Sequence, residues 1–172
     1  ELETAAWLHD CGKVVTPEYV MDKATKLETI YDRIHTLETR FEVLRRDAEI
    51  EYLKSTLQLN AAGPSGAELE RKYQQTCQQL ADDFEFLRNA NIGGEFMSEE
   101  HIARVQQLAE QHWTDASGTQ RQLLSDDEVM NLSITRGTLN DAEREVINNH
   151  IVATIKMLES LPFPKNLQNV PE

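Results

Sequence analysis

The residues best suited to chemistry lie near the start of the chain, in the run His9-Asp10-Cys11-Gly12-Lys13. Adjacent His9 and Asp10 offer an imidazole nitrogen and a carboxylate oxygen from one short segment, a mixed donor set that suits a divalent metal. Such a metal activates water for attack on phosphate. Lys13 could then meet a phosphate oxygen as a positive point charge. The pair alone is weak evidence, because a histidine at a helix end beside a solvated aspartate is common.

Composition and charge limit the class of protein. The chain has 172 residues, 40% of them hydrophobic and 27% charged, with only seven Gly and five Pro, which indicates one all-α protein with a sizeable core. No apolar run is long enough to span a membrane, and no signal peptide is visible. A net charge of −13 disfavours DNA or RNA as a partner. Two cysteines do not form a disulfide framework or a zinc site, and they indicate free thiols in a cytoplasmic protein.

Hydrophobic spacing predicts the elements that position these residues. Residues 2–8 predict a first helix that ends near His9, with Gly12 as its stop. The strongest signal is a coiled-coil-like seam with apolar residues three and four apart. Its members are Leu27, Ile30, Ile34, Leu37, Phe41, Leu44 and Ala48. A breaker at residues 60–66 separates this helix from a second one at residues 67–88, which favours an antiparallel hairpin.

Further helices are predicted at residues 98–113, 123–132 and 140–161, with a polar turn at 114–119 between the first two. Asn140 and Glu143 have the spacing of a capping box at the start of the last of these helices.

Five histidines are candidates for a metal site. His101 and His112 lie on one predicted helix without ligand spacing, and His35 lies beside the seam, so a structural role is the ordinary interpretation for all three. His150 lies on the inner face of the last predicted helix. A histidine at the edge of a core, bonded to a neighbour, would be the ordinary interpretation there too, but its sequence context favours a metal ligand.

That context is a resemblance carried by two segments. Residues 8–17, Leu-His-Asp-Cys-Gly-Lys-Val-Val-Thr-Pro, resemble the signature of the HD-GYP subgroup of HD-domain metal-dependent phosphohydrolases. Residues 137–144, with His150 and residues 154–158, resemble the family's Gly-Lys-Leu-Thr, Glu-Glu stretch and the helix that bears its next metal-binding histidine.

In ordinary family members these two segments are nearly contiguous, whereas here roughly 115 residues intervene. We therefore predict an all-α fold in which a truncated HD core, residues 1–20 and 135–172, is interrupted by a helical insertion, residues 21–134.

The resemblance implies roles for four residues. His9 and Asp10 would be metal ligands, with Asp10 bridging two metals, and His150 would complete part of the metal shell. Lys13 would contact the scissile phosphate, so Asp10 and Lys13 would be the catalytic residues. The family uses iron or manganese ions, and the substrate implied is a cyclic dinucleotide, most often cyclic di-GMP. A rival alignment makes His35 the next ligand, but its neighbours lack the expected pattern and the seam explains its segment, so we favour His150.

The chain also departs from the family pattern. The family's paired histidines, Gly-Tyr-Pro loop and later aspartate would lie beyond the last residue, and another ligand would lie before the first. We therefore expect a fragment of a phosphodiesterase that is inactive by itself, with an incomplete metal site. One alternative is a helical signalling or dimerisation module with a relic His-Asp pair, and another is an HD hydrolase of a different nucleotide phosphoester. In each case the seam at residues 27–48 supports a homodimer through the insertion.

Overall fold

The computed structural model describes residues 2–58, 64–94 and 96–167. The chain divides into two compact units. One, named the motif unit here, comprises residues 1–24, 28–30 and 139–172, and the other, named the hairpin unit, comprises residues 25–27 and 31–138. The sequence placed the domain boundaries at residues 20 and 135. Compactness divides the chain close to those positions, and the assignment of the motif unit to an HD core stays a prediction.

The described residues form seven α-helices and one two-stranded antiparallel sheet, so the all-α class is confirmed. None of the described helices has the length and apolar character needed to cross a membrane. In chain order the elements are α1 (Leu2–Leu8), a 3₁₀ helix (Cys11–Val15), α2 (Glu18–Met21), α3 (Ile34–Leu57), α4 (Gly66–Ile92), α5 (Glu99–Ala109), β1 (His112–Thr114), β2 (Gln120–Gln122), α6 (Asp126–Leu132), α7 (Asp141–Glu159) and a second 3₁₀ helix (Lys165–Leu167).

Helices α3 and α4 form the predicted antiparallel hairpin. The rings of Phe41 and Phe84 lie 5.5 Å apart near one end, and those of Tyr52 and Tyr73 stack at 5.1 Å near the other. As the residue number rises along α3 it falls along α4, which defines the antiparallel direction. A capping box at Ser65 begins α4. The predicted breaker lies mostly outside the described residues.

The hairpin unit has a continuous hydrophobic core. Its buried members come from both long helices, from α5 and α6, and from the segments between them. They are Leu27, Ile34, Leu37, Phe41, Leu87, Ala90, Met97, Val105, Leu108, Leu123, Leu124 and Leu132. Most residues of the predicted seam are therefore buried in the core of a single chain.

The first part of the seam is not helical, contrary to the prediction. Helix α3 begins at Ile34, and Ile30 is exposed. The Asp32 carboxylate accepts a hydrogen bond from the Ile34 backbone N–H at 2.9 Å, and the Leu27 N–H donates to the side-chain oxygen of Asn91 at 2.8 Å. These polar contacts hold residues 25–33 outside a helix although their apolar spacing continues the heptad pattern.

The polar turn predicted at residues 114–119 is a β-hairpin. The strands β1 and β2 pair in antiparallel register, with Trp113 opposite Arg121. The Asp115 carboxylate accepts from the backbone N–H groups of Ser117 and Thr119, and Gly118 adopts a φ of 80°. Each strand has three residues and no alternation of apolar and polar side chains, so hydrophobic spacing carried no signal for it.

In the motif unit the first 3₁₀ helix packs against α7. The predicted capping box at Asn140 and Glu143 is confirmed and begins that helix. Among the described residues of the motif unit, the buried hydrophobic side chains are Val20 of α2 and Leu158 of α7. Much of this unit is therefore held by polar and backbone contacts, and those contacts place the candidate site.

Candidate functional site

The His-Asp pair lies in the turn between α1 and the first 3₁₀ helix. His9 directs Nδ1 to the backbone carbonyl of Ala6 at 2.8 Å, so the end of α1 fixes the orientation of its ring. The opposite nitrogen, Nε2, lies 3.1 Å from Asp10 Oδ2. Helix termination thus delivers both side chains to one place.

Helix α7 supplies His150 to the same carboxylate. Its Nδ1 contacts the backbone carbonyl of Ile147, and its Nε2 lies 3.5 Å from Asp10 Oδ1. The His150 side chain is 13% exposed and that of His9 is 67% exposed, so one imidazole lies inside the site and the other at its rim. The two histidines approach different oxygens of Asp10.

These contacts indicate what the site needs. When Nδ1 of a neutral histidine donates to a carbonyl, Nε2 carries a lone pair. Both His9 and His150 direct Nε2 at the carboxylate of Asp10. A lone pair and a carboxylate repel each other unless a proton or a cation lies between them. The arrangement therefore favours a positive charge at this position.

Lys13 supplies one such charge. Its Nζ lies 2.6 Å from Asp10 Oδ2, three residues earlier in the chain. This hydrogen bond, with smaller contributions from the charges of His9, Lys13 and His150, lowers the pKa of Asp10 below its ordinary value. Asp10 is therefore held as a carboxylate, the form that binds a metal.

Close packing at Gly12 brings the two segments together. A Cβ atom at this position would lie 2.1 Å from the carbonyl oxygen of His150 and 2.5 Å from the backbone nitrogen of Thr154, distances that only glycine avoids. The Gly12 N–H donates to Thr154 Oγ1 at 2.9 Å, and Thr154 is buried. The sequence interpreted Gly12 as a helix stop. It gave no signal for Thr154, because a single threonine in a helix is not distinctive.

A buried ion pair makes a second connection to α7. Lys23 Nζ lies 2.8 Å from both carboxylate oxygens of Glu143, and the two side chains are 1% and 14% exposed. Glu143 also accepts from the backbone N–H of Asn140 at 2.9 Å, so one carboxylate caps α7 and anchors the segment after α2. The sequence identified the cap but missed Lys23, whose partner lies far away in the chain.

The structure brings together all four residues that the resemblance selected, since His9, Lys13 and His150 each contact Asp10. The remaining histidines lie in the hairpin unit. His35 is exposed on α3, 3.5 Å from Glu38. His101 meets the ring of Phe86 edge-on, and His112 begins β1. Each of these three histidines contacts its own neighbours within the hairpin unit, and none of them belongs to the cluster at Asp10.

The donor atoms at Asp10 are of the types that bind a metal, but their arrangement does not form a complete coordination shell. Two imidazole nitrogens and one carboxylate suit a divalent transition metal, and carbonyl contacts at Nδ1 are typical of histidine ligands. Within residues 2–58, 64–94 and 96–167, however, no three His, Cys, Asp or Glu side chains form a group that could hold a metal ion. As arranged here, Lys13 takes the position beside Asp10 that a metal cation would share.

Comparison with known proteins bears on the second of the two segments. Residues 125–172 match a family model described as HD domain. The match includes His150 and begins before the predicted boundary at residue 135, but it does not extend to residues 8–17. It supports an HD-domain family for this chain, and with it metal-dependent phosphohydrolase chemistry in general. Neither a curated protein nor a solved structure matches the chain significantly.

Proposed function

We propose that the motif unit is part of the catalytic core of a metal-dependent phosphodiesterase of the HD-GYP type. The observation that carries the proposal is the convergence of His9, Lys13 and His150 on the carboxylate of Asp10 across about 140 residues of chain. Residues of these types meet at one carboxylate in the order that the resemblance requires. The HD-domain match at residues 125–172 supports the same interpretation for α7.

His9, Asp10 and His150 would hold the metal, with iron or manganese the expected ions. Bound there, the metal would supply a hydroxide for in-line attack on phosphorus and would stabilise the developing negative charge. Asp10 presents a different oxygen to each histidine, which suits a carboxylate that bridges two ions.

Lys13 would change partners during substrate binding. In the structure its ammonium group neutralises Asp10 at 2.6 Å. With a metal held by His9, Asp10 and His150 supplying the positive charge beside the carboxylate, the Lys13 ammonium would be free to meet a phosphate oxygen as a point charge. Lys13 is half-exposed, with 44% of its side chain accessible, so a phosphate could reach it from solvent.

For the substrate we propose a cyclic dinucleotide such as cyclic di-GMP, which the resemblance of residues 8–17 to the HD-GYP signature supports. A net charge of −13 disfavours a nucleic acid polymer but leaves room for a small anion at a cationic centre. An HD hydrolase of another nucleotide phosphoester is the alternative. Free Cys11 and Cys77 support the predicted cytoplasmic location.

Metal binding gives the first test. Mn²⁺ is titrated into the chain and the free ion is followed by electron paramagnetic resonance, for the wild type and for His9→Ala and His150→Ala. We expect binding that both substitutions weaken by about tenfold or more. The matched controls are His35→Ala and His112→Ala, which change histidines of the hairpin unit and keep His9 and His150 intact. Equal binding in all five proteins would overturn the metal assignment. If none of the five binds Mn²⁺, the comparison is repeated in a longer form of the protein, and an absence of binding there would overturn it.

Substrate class is tested separately, in the longest form of the protein that binds metal. Hydrolysis of cyclic di-GMP, of a second cyclic dinucleotide and of a nucleoside monophosphate is compared at equal metal loading. Preference for a cyclic dinucleotide, lost in Lys13→Ala with metal retained, supports the proposal. Preference for the monophosphate supports the alternative substrate and leaves the metal assignment standing.

The helical signalling module predicted as an alternative rested on an apolar seam buried between chains. That seam is buried between α3 and α4 of one chain, because Leu37, Phe41 and Leu87 lie in the hairpin core. The buried residues of the seam therefore do not support a homodimer, and dimerisation itself stays a prediction.

A further inference from the structure

The outer face of α3 carries a second apolar stripe that the hairpin does not use. Ile50, Leu53 and Leu57 are 47%, 51% and 87% exposed. Their spacing of three and four residues places them within an arc of about 60° on the helix. Isolated exposed leucines are ordinary, but an aligned set of this kind departs from the polar outer face expected of a surface helix.

This stripe lies on the side of α3 opposite to the hairpin seam. The residues that face α4, among them Ala48 and Tyr52, are half-buried, and they lie about half a turn around the helix from Ile50. Packing against α4 therefore cannot cover Ile50, Leu53 and Leu57.

Helix α4 provides an internal comparison. Among its described residues from 66 to 91 no large hydrophobic side chain is exposed, and Ile92, the last residue of the helix, is 58% exposed. Its outer face carries Gln, Glu, Asp, Arg and Lys instead. Two helices of one hairpin thus have different outer faces, and the difference indicates that the outer face of α3 has a partner.

We propose that the partner is α3 of a second copy of the chain, packed antiparallel through Ile50, Leu53 and Leu57. With Ile50 placed against Leu53 of the second copy, helical periodicity puts Asp47 of each copy opposite Lys54 of the other. Asp47 and Lys54 are both exposed. Two-fold symmetry repeats this pair, so the antiparallel arrangement contains two attractive Asp47–Lys54 pairs.

A parallel arrangement is less favourable. It would place Arg46, one turn before Ile50, against Arg46 of the second copy, and Glu42 against Asp47. One attractive pair, Glu49 and Lys54, would form on each side. In the antiparallel arrangement Arg46 instead lies over Leu57 of the second copy, where its aliphatic stem can cover apolar surface. Charge therefore selects the orientation, and the apolar stripe supplies the attraction.

The stripe is short, about one heptad, so the dimer is expected to be weak and concentration-dependent. Sedimentation velocity across a concentration series tests it. The average mass should rise from 19.7 kDa, one chain, towards twice that value. Leu53→Glu should keep the mass at one chain, whereas Gln78→Glu on the outer face of α4 should behave as the wild type. Circular dichroism checks that both variants are folded.

Exchange of charges tests the orientation without touching the apolar residues. Asp47→Lys alone and Lys54→Asp alone should each weaken the dimer, since each places like charges opposite one another. An equal mixture of the two variants should restore it, because every facing pair then has opposite signs. Strengthening by Asp47→Lys alone would show a parallel arrangement and would overturn the proposal.

A dimer unaffected by Leu53→Glu, or a single-chain mass at every concentration, would also overturn it. These outcomes are independent of the proposed catalytic function, because every variant lies in the hairpin unit and none changes His9, Asp10, Lys13 or His150.

Discussion

Each of the two units of the chain is stabilised internally by a different kind of contact. The hairpin unit buries twelve hydrophobic residues in one core among its described residues. The described part of the motif unit buries Val20 and Leu158, and it leaves a set of large hydrophobic side chains exposed on α1, on the loops and along α7. Those exposed on α7 are Val146, Ile151, Val152, Ile155 and Met157.

The candidate site belongs to the unit with the smaller core, and its residues are placed by specific polar and backbone contacts at Gly12, Thr154, Lys23 and Glu143. Such a unit is sensitive to the loss of single contacts, and its exposed apolar faces favour association with further protein surface. The hairpin unit, in contrast, depends on summed apolar burial.

The largest effect is expected from Gly12→Ala. The added Cβ would collide with the α7 backbone at His150 and Thr154, which cannot move like a flexible side chain. We expect a loss of more than about 3 kcal/mol of local stability in the motif unit. Hydrogen exchange of the α7 amides measures it, and the hairpin amides should stay protected.

Gly94→Ala is the matched control for that substitution. A Cβ at Gly94 meets its nearest atom at 3.9 Å, an ordinary contact, and its backbone does not have a positive φ. This variant should exchange as the wild type does. If Gly12→Ala also left α7 protected, close packing at Gly12 would not be what holds the two motif segments together.

These contacts also mark the limit of prediction from sequence. The periodicity of Leu37, Phe41 and their neighbours predicted the hairpin correctly, since a repeated apolar spacing reports summed burial. The same spacing wrongly extended α3 back to Leu27, because the hydrogen bonds of Asp32 and Asn91 outweigh it. In the motif unit His9 and Asp10 were found from their chemistry.

Thr154 and Lys23 escaped prediction, because each acts through one contact with a distant part of the chain. Periodicity contains no information about such pairs. Residue types and motifs therefore indicate His9 and Asp10 as candidates for chemistry, but not Thr154 and Lys23, which hold the two segments together.

Core truncation separates the two units next. Leu87→Ala removes a fully buried side chain from the hairpin core and should destabilise that unit by about 3 kcal/mol. Ile151→Ala removes an exposed side chain from α7 and should change stability by less than about 0.5 kcal/mol. The chain has two tryptophans, Trp7 in the motif unit and Trp113 in the hairpin unit.

In a Trp7→Phe background, urea unfolding followed by Trp113 fluorescence reports the hairpin unit, and in a Trp113→Phe background Trp7 fluorescence reports the motif unit. A larger effect of Ile151→Ala than of Leu87→Ala would contradict the difference between the two units.

Buried lysines extend the comparison to pH. Lys23 in the motif unit has a carboxylate partner, whereas Lys26 in the hairpin unit is fully buried and donates to the carbonyls of Leu132 and Ile134. Burial lowers the pKa of Lys26 from 10.5 to about 8. Between these values the unfolded chain keeps a proton that the folded chain has released, so this group makes stability rise with pH.

The rise attributable to Lys26 should reach at most roughly 3 kcal/mol between pH 8 and 10.5. Lys26→Met should remove this rise, so the unfolding free energy of the wild type minus that of Lys26→Met should increase with pH by up to that amount. Parallel curves for wild type and Lys26→Met across that range would show that the lysine titrates normally.

The smallest effect is expected at Thr154. Its hydrogen bond with Gly12 is an example of the single polar contacts that stabilise the motif unit. Thr154→Val keeps the shape of the side chain but removes the oxygen that accepts from the Gly12 N–H, and Thr154→Ser keeps that oxygen. Because the Gly12 N–H is left buried without its acceptor, Thr154→Val should cost about 1 kcal/mol, and Thr154→Ser should retain the bond. The amide exchange rate of Gly12, measured by NMR, reports the bond directly. It should rise about fivefold in Thr154→Val while hairpin amides remain unchanged. Equal rates in Thr154→Val and Thr154→Ser would mean that apolar packing, and not this bond, docks the His-Asp turn on α7.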